Sequence, residues 1–112
     1  MSKSRTITAD DWAGNPGDWL PNPHAGEMLW LEFMEPGGID VADLANAIEL
    51  EADQLQAVID GSRRMYAELD LRLARYFRMS EGFFLGLQID YELLEAKRAL
   101  NGSLDRIVPR AA

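Results

Sequence analysis

Two glutamines one residue apart, Gln54 and Gln56, and two adjacent arginines, Arg63 and Arg64, are the groupings in this chain whose types and spacing suit recognition chemistry. A glutamine carboxamide offers a donor beside an acceptor, the complement of an adenine edge in the major groove of a duplex. A guanidinium grips phosphate through paired N–H groups, and the neighbouring Ser62 hydroxyl adds one more phosphate bond. Asp53 accepts from a cytosine amino group and otherwise repels phosphate. Each has a plainer alternative: exposed helix residues for the glutamines, surface ion pairs with Asp60 or Glu68 for the arginines.

Catalysis finds little support. His24 is the only histidine and the chain has no cysteine. His24 and Glu27 stand at a spacing that suits a metal, but two ligands without others nearby do not make a site. No Ser-His-Asp set, phosphate-cradling glycine loop or dinucleotide fingerprint can be assembled. The chain is therefore read as a non-enzyme without metal or cofactor.

The elements that must position these residues are helical. The 112 residues, 47% apolar and 27% charged, suffice for one domain with a modest core. Residues 1–23 carry Pro16, Pro21 and Pro23 with no sustained period, and read as an irregular N-terminal arm with a short helix near Asp10 to Ala13. A helix-turn-helix domain is expected over 24–100 and a tail over 101–112. The first helix runs from His24, an imidazole in the N-cap place, to Glu35, where Pro36-Gly37-Gly38 stops it. Asp40 caps a second helix over Val41 to Ile48. A third spans Ala52 to Asp60, with Gly61 as its stop. A fourth ends at Phe77, and Ser80 caps a long fifth running to about Leu100. No run alternates as a strand does, so the fold class is all-α with five helices. Leu44, Ala45, Leu55, Val58, Ile59, Leu71, Leu73, Ala74 and Phe77 are the expected core. Arg72, Arg75 and Arg78, spaced along the fourth helix, read as a solvated stripe, with a nucleic-acid or partner role as the alternative. The fifth helix spreads Phe83, Phe84, Leu87, Ile89, Tyr91, Leu93 and Leu94 over more than one face, which favours a homodimer.

Charge is segregated. From Asp10 to Asp60 there are twelve carboxylates and no Lys or Arg, whereas residues 63–78 hold five arginines against two carboxylates. The acidic stretch favours a basic protein partner and disfavours nucleic acid on the same surface. Trp12 and Trp19, in the arm, are candidate anchors for such a partner. The longest apolar run falls short of a membrane span, and the N-terminus lacks the apolar block of a secretory signal, so a cytoplasmic protein that does not enter a membrane is expected.

His24-Ala-Gly-Glu-Met-Leu29, Phe33-Met-Glu-Pro36, Leu44-Ala45, Ile59-Asp-Gly-Ser-Arg63, Leu71-Arg-Leu-Ala-Arg-Tyr-Phe77 and Phe83-Phe-Leu-Gly-Leu-Gln88 together resemble, without gaps, the pattern of HigA/VapI-type antitoxins, lambda-repressor-like helix-turn-helix proteins of the Xre class. The resemblance covers about two thirds of the chain. It implies a dimeric protein that binds double-stranded operator DNA, neutralises a small basic ribonuclease toxin encoded beside it and represses their shared promoter. It places Asp53, Gln54 and Gln56 at the start of the recognition helix and Ser62, Arg63 and Arg64 just beyond its end. Three departures stand out. The family's Ser-Arg-x-Ser is here Asp53-Gln-Leu-Gln56, its Ser-Gln start of helix two is Asp40-Val41, and the glycine of its turn is Glu49. Either Glu49 sits in the left-handed region or the turn is built differently. A second reading follows from the acidic helices: a helix-turn-helix domain with lost or weak DNA binding that serves as a protein-interaction module.

Overall fold

A computed structural model describes residues 19–111. Trp12 and the short helix expected near Asp10 lie outside them. Among the described residues there is no strand, and none of the helices is long and apolar enough to cross a membrane.

Several helix ends have a local cause. In α1, Ala25–Leu29, the His24 imidazole accepts from the Glu27 amide through Nδ1 at 3.2 Å, so an acceptor nitrogen does what a capping hydroxyl or carboxylate usually does. The helix then widens into a π turn, Trp30–Met34, in which the Glu35 amide reaches back five residues to the Trp30 carbonyl at 2.8 Å. The regular helix expected as far as Glu35 is therefore interrupted. The extra residue per turn shifts the phase of the apolar stripe, so Met34, five residues after Leu29, is buried with it. Asp40 caps α2, Val41–Ala47, by accepting from the Asp43 amide at 2.8 Å. Next, α3, Ala52–Asp60, closes on Gly61, whose φ of 86° takes the left-handed turn a side chain resists. Arg78 ends α4, Ala67–Phe77, in the same region at φ 60°.

The long α5, Phe83–Leu100, is capped from a distance. Asp70 of α4 accepts from the amides of Gly82 at 2.6 Å, Phe84 at 2.7 Å and Leu85 at 3.0 Å. The cap expected of Ser80 is thus corrected: Ser80 supplies only its backbone carbonyl, to Phe83 at 3.0 Å. A carboxylate that satisfies three orphan N–H groups at the positive end of a helix is well placed despite being only 1% exposed.

Contacts divide the described residues into two compact units, residues 23–92 and the pair 19–22 with 93–111, so that α5 begins in one and ends in the other. The core of the first is built from Leu29, Met34, Leu44, Ala45, Ile48, Leu55, Val58, Met65, Leu69, Leu73 and Phe84, with Phe33 packed at 5.1 Å from both Phe77 and Phe84. Ile59 and Phe77 are half-buried rather than fully enclosed, and Leu71, expected inside, is 48% exposed. The reason lies in Asp70. With Leu69, Asp70, Leu73 and Ala74 turned inward, Leu71 falls on the opposite side of α4, some 200° from Leu69 at about 100° per residue. In the second unit, Asn22 donates to the Glu95 carboxylate at 3.0 Å, the Arg98 guanidinium lies 5.0 Å from the Trp19 ring, and a 3₁₀ turn, Ser103–Arg106, follows α5.

Candidate nucleic-acid interface

Helices α2 and α3 are joined by Ile48-Glu49-Leu50-Glu51. Glu49 adopts the left-handed conformation at φ 60°, which settles the alternative left open by its replacing a glycine. The amide of Glu49 donates to Asn46 at 3.2 Å and that of Leu50 to Ala45 at 2.9 Å, which satisfies carbonyls at the end of α2. Leu50 is half-buried against the core, so the chain enters α3 in a fixed direction. Arg72, expected on a solvated stripe, reaches this turn instead, and its Nη1 donates to the Ile48 carbonyl at 2.7 Å.

Leu55 and Val58 anchor α3 in the core, and this leaves Asp53, Gln54 and Gln56 exposed on its outer side. Gln54 and Asp53 have no side-chain hydrogen bond among the described residues. Gln56 donates through Nε2 to the Asp60 carboxylate at 2.8 Å, a bond one turn along the helix that must be exchanged before the whole carboxamide can meet a base edge.

At the far end of α3 the Ser62 hydroxyl donates to the Ala57 carbonyl at 3.1 Å, and its proton therefore closes the helix rather than facing outward. Arg63 stacks its guanidinium 3.9 Å from the Tyr66 ring centre, an arrangement that steadies the group while leaving its N–H edge for an anion. Arg64 is differently placed. It forms a two-pronged pair with Glu92 of α5, Nε to Oε2 at 2.6 Å and Nη2 to Oε1 at 3.1 Å. Glu92 also accepts from Gln88 at 2.8 Å, and the buried Gln88 accepts from the Met65 amide at 3.1 Å. Hydrogen bonds from Arg64 and Gln88 hold the Glu92 carboxyl below the usual carboxylate range, and the same pairing raises the Arg64 guanidinium. A cleft of about 230 Å³ lies among His24, Gly61, Arg63, Arg64, Gln88, Tyr91 and Glu92.

The six residues expected to meet DNA thus occupy the two ends of one exposed helix. Those with recognition groups still unengaged are Asp53, Gln54 and Arg63, while Gln56, Ser62 and Arg64 hold internal bonds. Trp19, the described member of the expected partner anchors, is half-buried, and its buried indole N–H has no hydrogen-bond partner among the described residues. His24 uses Nδ1 for its cap, and among the described residues no group of three or more His, Cys, Asp or Glu is close enough to hold a metal.

Two short helices at a four-residue turn, the second with a polar outer side and an apolar inner one, constitute a helix-turn-helix. No family model matches the chain, but individual relatives do. It is 30% identical over 86 residues to an uncharacterized HTH-type transcriptional regulator of Haemophilus influenzae, covering 75% of this chain and 80% of the relative. It is also 30% identical over 90 residues to virulence-associated protein I of Dichelobacter nodosus, covering 80% and 82%. Among solved structures, a Pseudomonas aeruginosa protein in complex with its operator DNA superposes with a TM-score of 0.75 at 32% identity, over 82% of this chain and 98% of that one. The Pseudomonas aeruginosa antitoxin HigA with the higBA promoter gives 0.72 at 32% identity, over 81% and 100%. The chain belongs to the HigA/VapI-type helix-turn-helix family. Those whose names state a role are a transcriptional regulator and an antitoxin, in keeping with the reading of the sequence as a non-enzyme.

Proposed function

We propose that this chain is a cytoplasmic, homodimeric transcriptional regulator of antitoxin type that reads double-stranded operator DNA with α3. The observation that carries this reading is the exposure of Asp53, Gln54 and Gln56 at the start of a core-anchored helix whose end carries Arg63, in a fold shared with proteins solved on operator DNA. In such a domain the second helix enters the major groove by its N-terminal residues. Gln54 then reads an adenine, Asp53 a cytosine amino group, and Arg63 holds a flanking phosphate. Gln56 joins by exchanging its Asp60 bond, while Ser62 and Arg64 contribute less than their types suggest.

The absence of any Lys or Arg in α2 and α3 predicts weak binding to random duplex and a shallow salt dependence, because few counterions are released. Arg63→Ala is expected to weaken operator binding about tenfold at every sequence, and Gln54→Ala to relax preference at one base pair at a cost of about 1 to 3 kcal/mol. Fluorescence anisotropy of both variants on a duplex from just upstream of this coding sequence checks the pair. Equal affinity of the Arg63→Ala variant and the parent would remove Arg63 from the interface.

Neutralisation of a small basic ribonuclease toxin and repression of a shared promoter extend the same reading. The acidic stretch from Asp10 to Asp60, the arm with Trp12 and Trp19 included, suits a basic partner. Titration against a basic toxin encoded beside the gene is expected to show tight association whose on-rate drops as salt rises. No association at low salt would leave a regulator without a toxin. The second reading, a protein-interaction module with lost or weak DNA binding, is favoured by the pairing of Arg64 with Glu92, which takes one expected phosphate ligand out of use. Loss of sequence-specific duplex binding together with retained partner binding would select it.

A further inference from the structure

Arg72 belongs to α4, yet its guanidinium spans to the turn that sets the direction of α3. Nη1 donates to the carbonyls of Ile48 at 2.7 Å and Glu49 at 3.3 Å, while Nε and Nη2 donate to Glu68 Oε2 at 3.0 Å and 2.8 Å. The two carbonyls follow α2, where a helix leaves acceptors unsatisfied and presents the negative end of its dipole, so a cation is the fitting ligand. Glu68, one turn back on α4, fixes the orientation of the fork. The position it supports is strained: Glu49 holds φ 60° without being glycine. Beside the turn lies an open groove of about 340 Å³ bordered by Ala47, Leu71, Arg75 and Tyr76. No other side chain hydrogen-bonds to the carbonyls of Ile48 and Glu49 among the described residues.

We propose that Arg72 is a positioning residue that holds the Ile48–Glu49 turn in its left-handed form and so sets the angle at which α3 presents Asp53, Gln54 and Gln56. A glycine adopts that backbone unaided; here a guanidinium on the neighbouring helix supplies the constraint from outside. The effect on the turn stands on its own, whereas the effect on duplex binding rests on the proposed function. Arg72→Lys keeps the charge but cannot bridge Glu68 and the carbonyls with one planar group.

The test uses the full chain and two readouts, amide hydrogen exchange and affinity for the duplex upstream of its own coding sequence. Arg72→Gln is expected to speed exchange of the Glu49 and Leu50 amides about tenfold relative to the Phe84 and Leu85 amides of α5, and to weaken duplex binding about tenfold. Arg72→Lys falls between, which also covers the case in which the glutamine variant folds poorly. In a Glu49→Gly background the same Arg72→Gln change is expected to cost only about threefold in duplex binding, since coupled positions are not additive. Exchange that rises equally in the turn and in α5, or an undiminished loss in the glycine background, overturns the assignment. If the parent chain binds no duplex, the proposed function fails, and the exchange readout still decides the role of Arg72.

Discussion

Replacing Asp70 with alanine is expected to lower the free energy of unfolding by about 3 to 5 kcal/mol. The carboxylate is 1% exposed and accepts three backbone N–H groups at the start of α5, at 2.6, 2.7 and 3.0 Å. Hydrogen bonds to a charged group contribute about 1.5 to 3 kcal/mol each, and stranding buried donors forfeits most of that. The alanine variant leaves the amides of Phe84 and Leu85 facing a small void, next to a Phe84 ring in the middle of the aromatic cluster. Asp70→Asn keeps one acceptor oxygen but turns an NH₂ group toward an N–H, so an intermediate loss of about 2 kcal/mol is expected. Urea unfolding of the three proteins separates the outcomes. A loss under about 1 kcal/mol for the alanine variant would mean that water serves the start of α5 as well as the carboxylate does.

The second large effect is expected at Gly26, buried in α1 against the C-terminal end of α3. A Cβ added there would lie 1.7 Å from the Val58 carbonyl oxygen, 2.5 Å from its carbon and 2.9 Å from the Ile59 Cα. All three are backbone atoms, so no rotamer change relieves the overlap, and one helix must move. Gly26→Ala is therefore expected to cost about 3 kcal/mol or more, at the upper end of overpacking effects, and to lower the melting temperature by at least about 10 °C for a chain of this size. Gly86, within α5, is the control. A methyl group there meets nothing within 4 Å, and Gly86→Ala is expected to be neutral or stabilising by up to about 1 kcal/mol through higher helix propensity. Similar melting temperatures for the two variants would contradict the close approach of α1 and α3.

Local signals in the sequence carried the helix boundaries where a single residue decides them. Asp40 marks the start of α2 and Gly61 the end of α3, and both do so through bonds within four residues. The outer side of α3 was legible for a similar reason, since Leu55 and Val58 at helical spacing leave only one side for Asp53, Gln54 and Gln56. Asp70 was not legible. A carboxylate in a run of leucines reads as a polar-face residue, and its amide partners lie 12 to 15 residues further on, beyond any periodic pattern. Leu71, expected inside, lies outside because the inward-facing side of α4 passes through Leu69 and Asp70 instead. Arg72 was missed likewise, because the carbonyls it serves lie 23 and 24 residues earlier in the chain. The pairing of Arg64 with Glu92 spans 28 residues and has no local signature; the nearer carboxylates Asp60 and Glu68 looked equally suited in the sequence. The π turn after Leu29 replaces a regular helical turn with one residue more, which no cap or proline announces.

Whether α3 reads DNA is tested most directly by titrating the parent chain onto a labelled duplex from upstream of its own coding sequence, beside a scrambled duplex of the same composition, at low and at physiological salt. Saturation at two chains per duplex is predicted, with affinity for the upstream duplex about a thousandfold above that for the scrambled one. The ratio should change little between the two salt concentrations, because few phosphate charges are neutralised in either complex. Equal affinity for the two duplexes, or no binding of either at low salt, would contradict the assignment of α3 as a recognition helix.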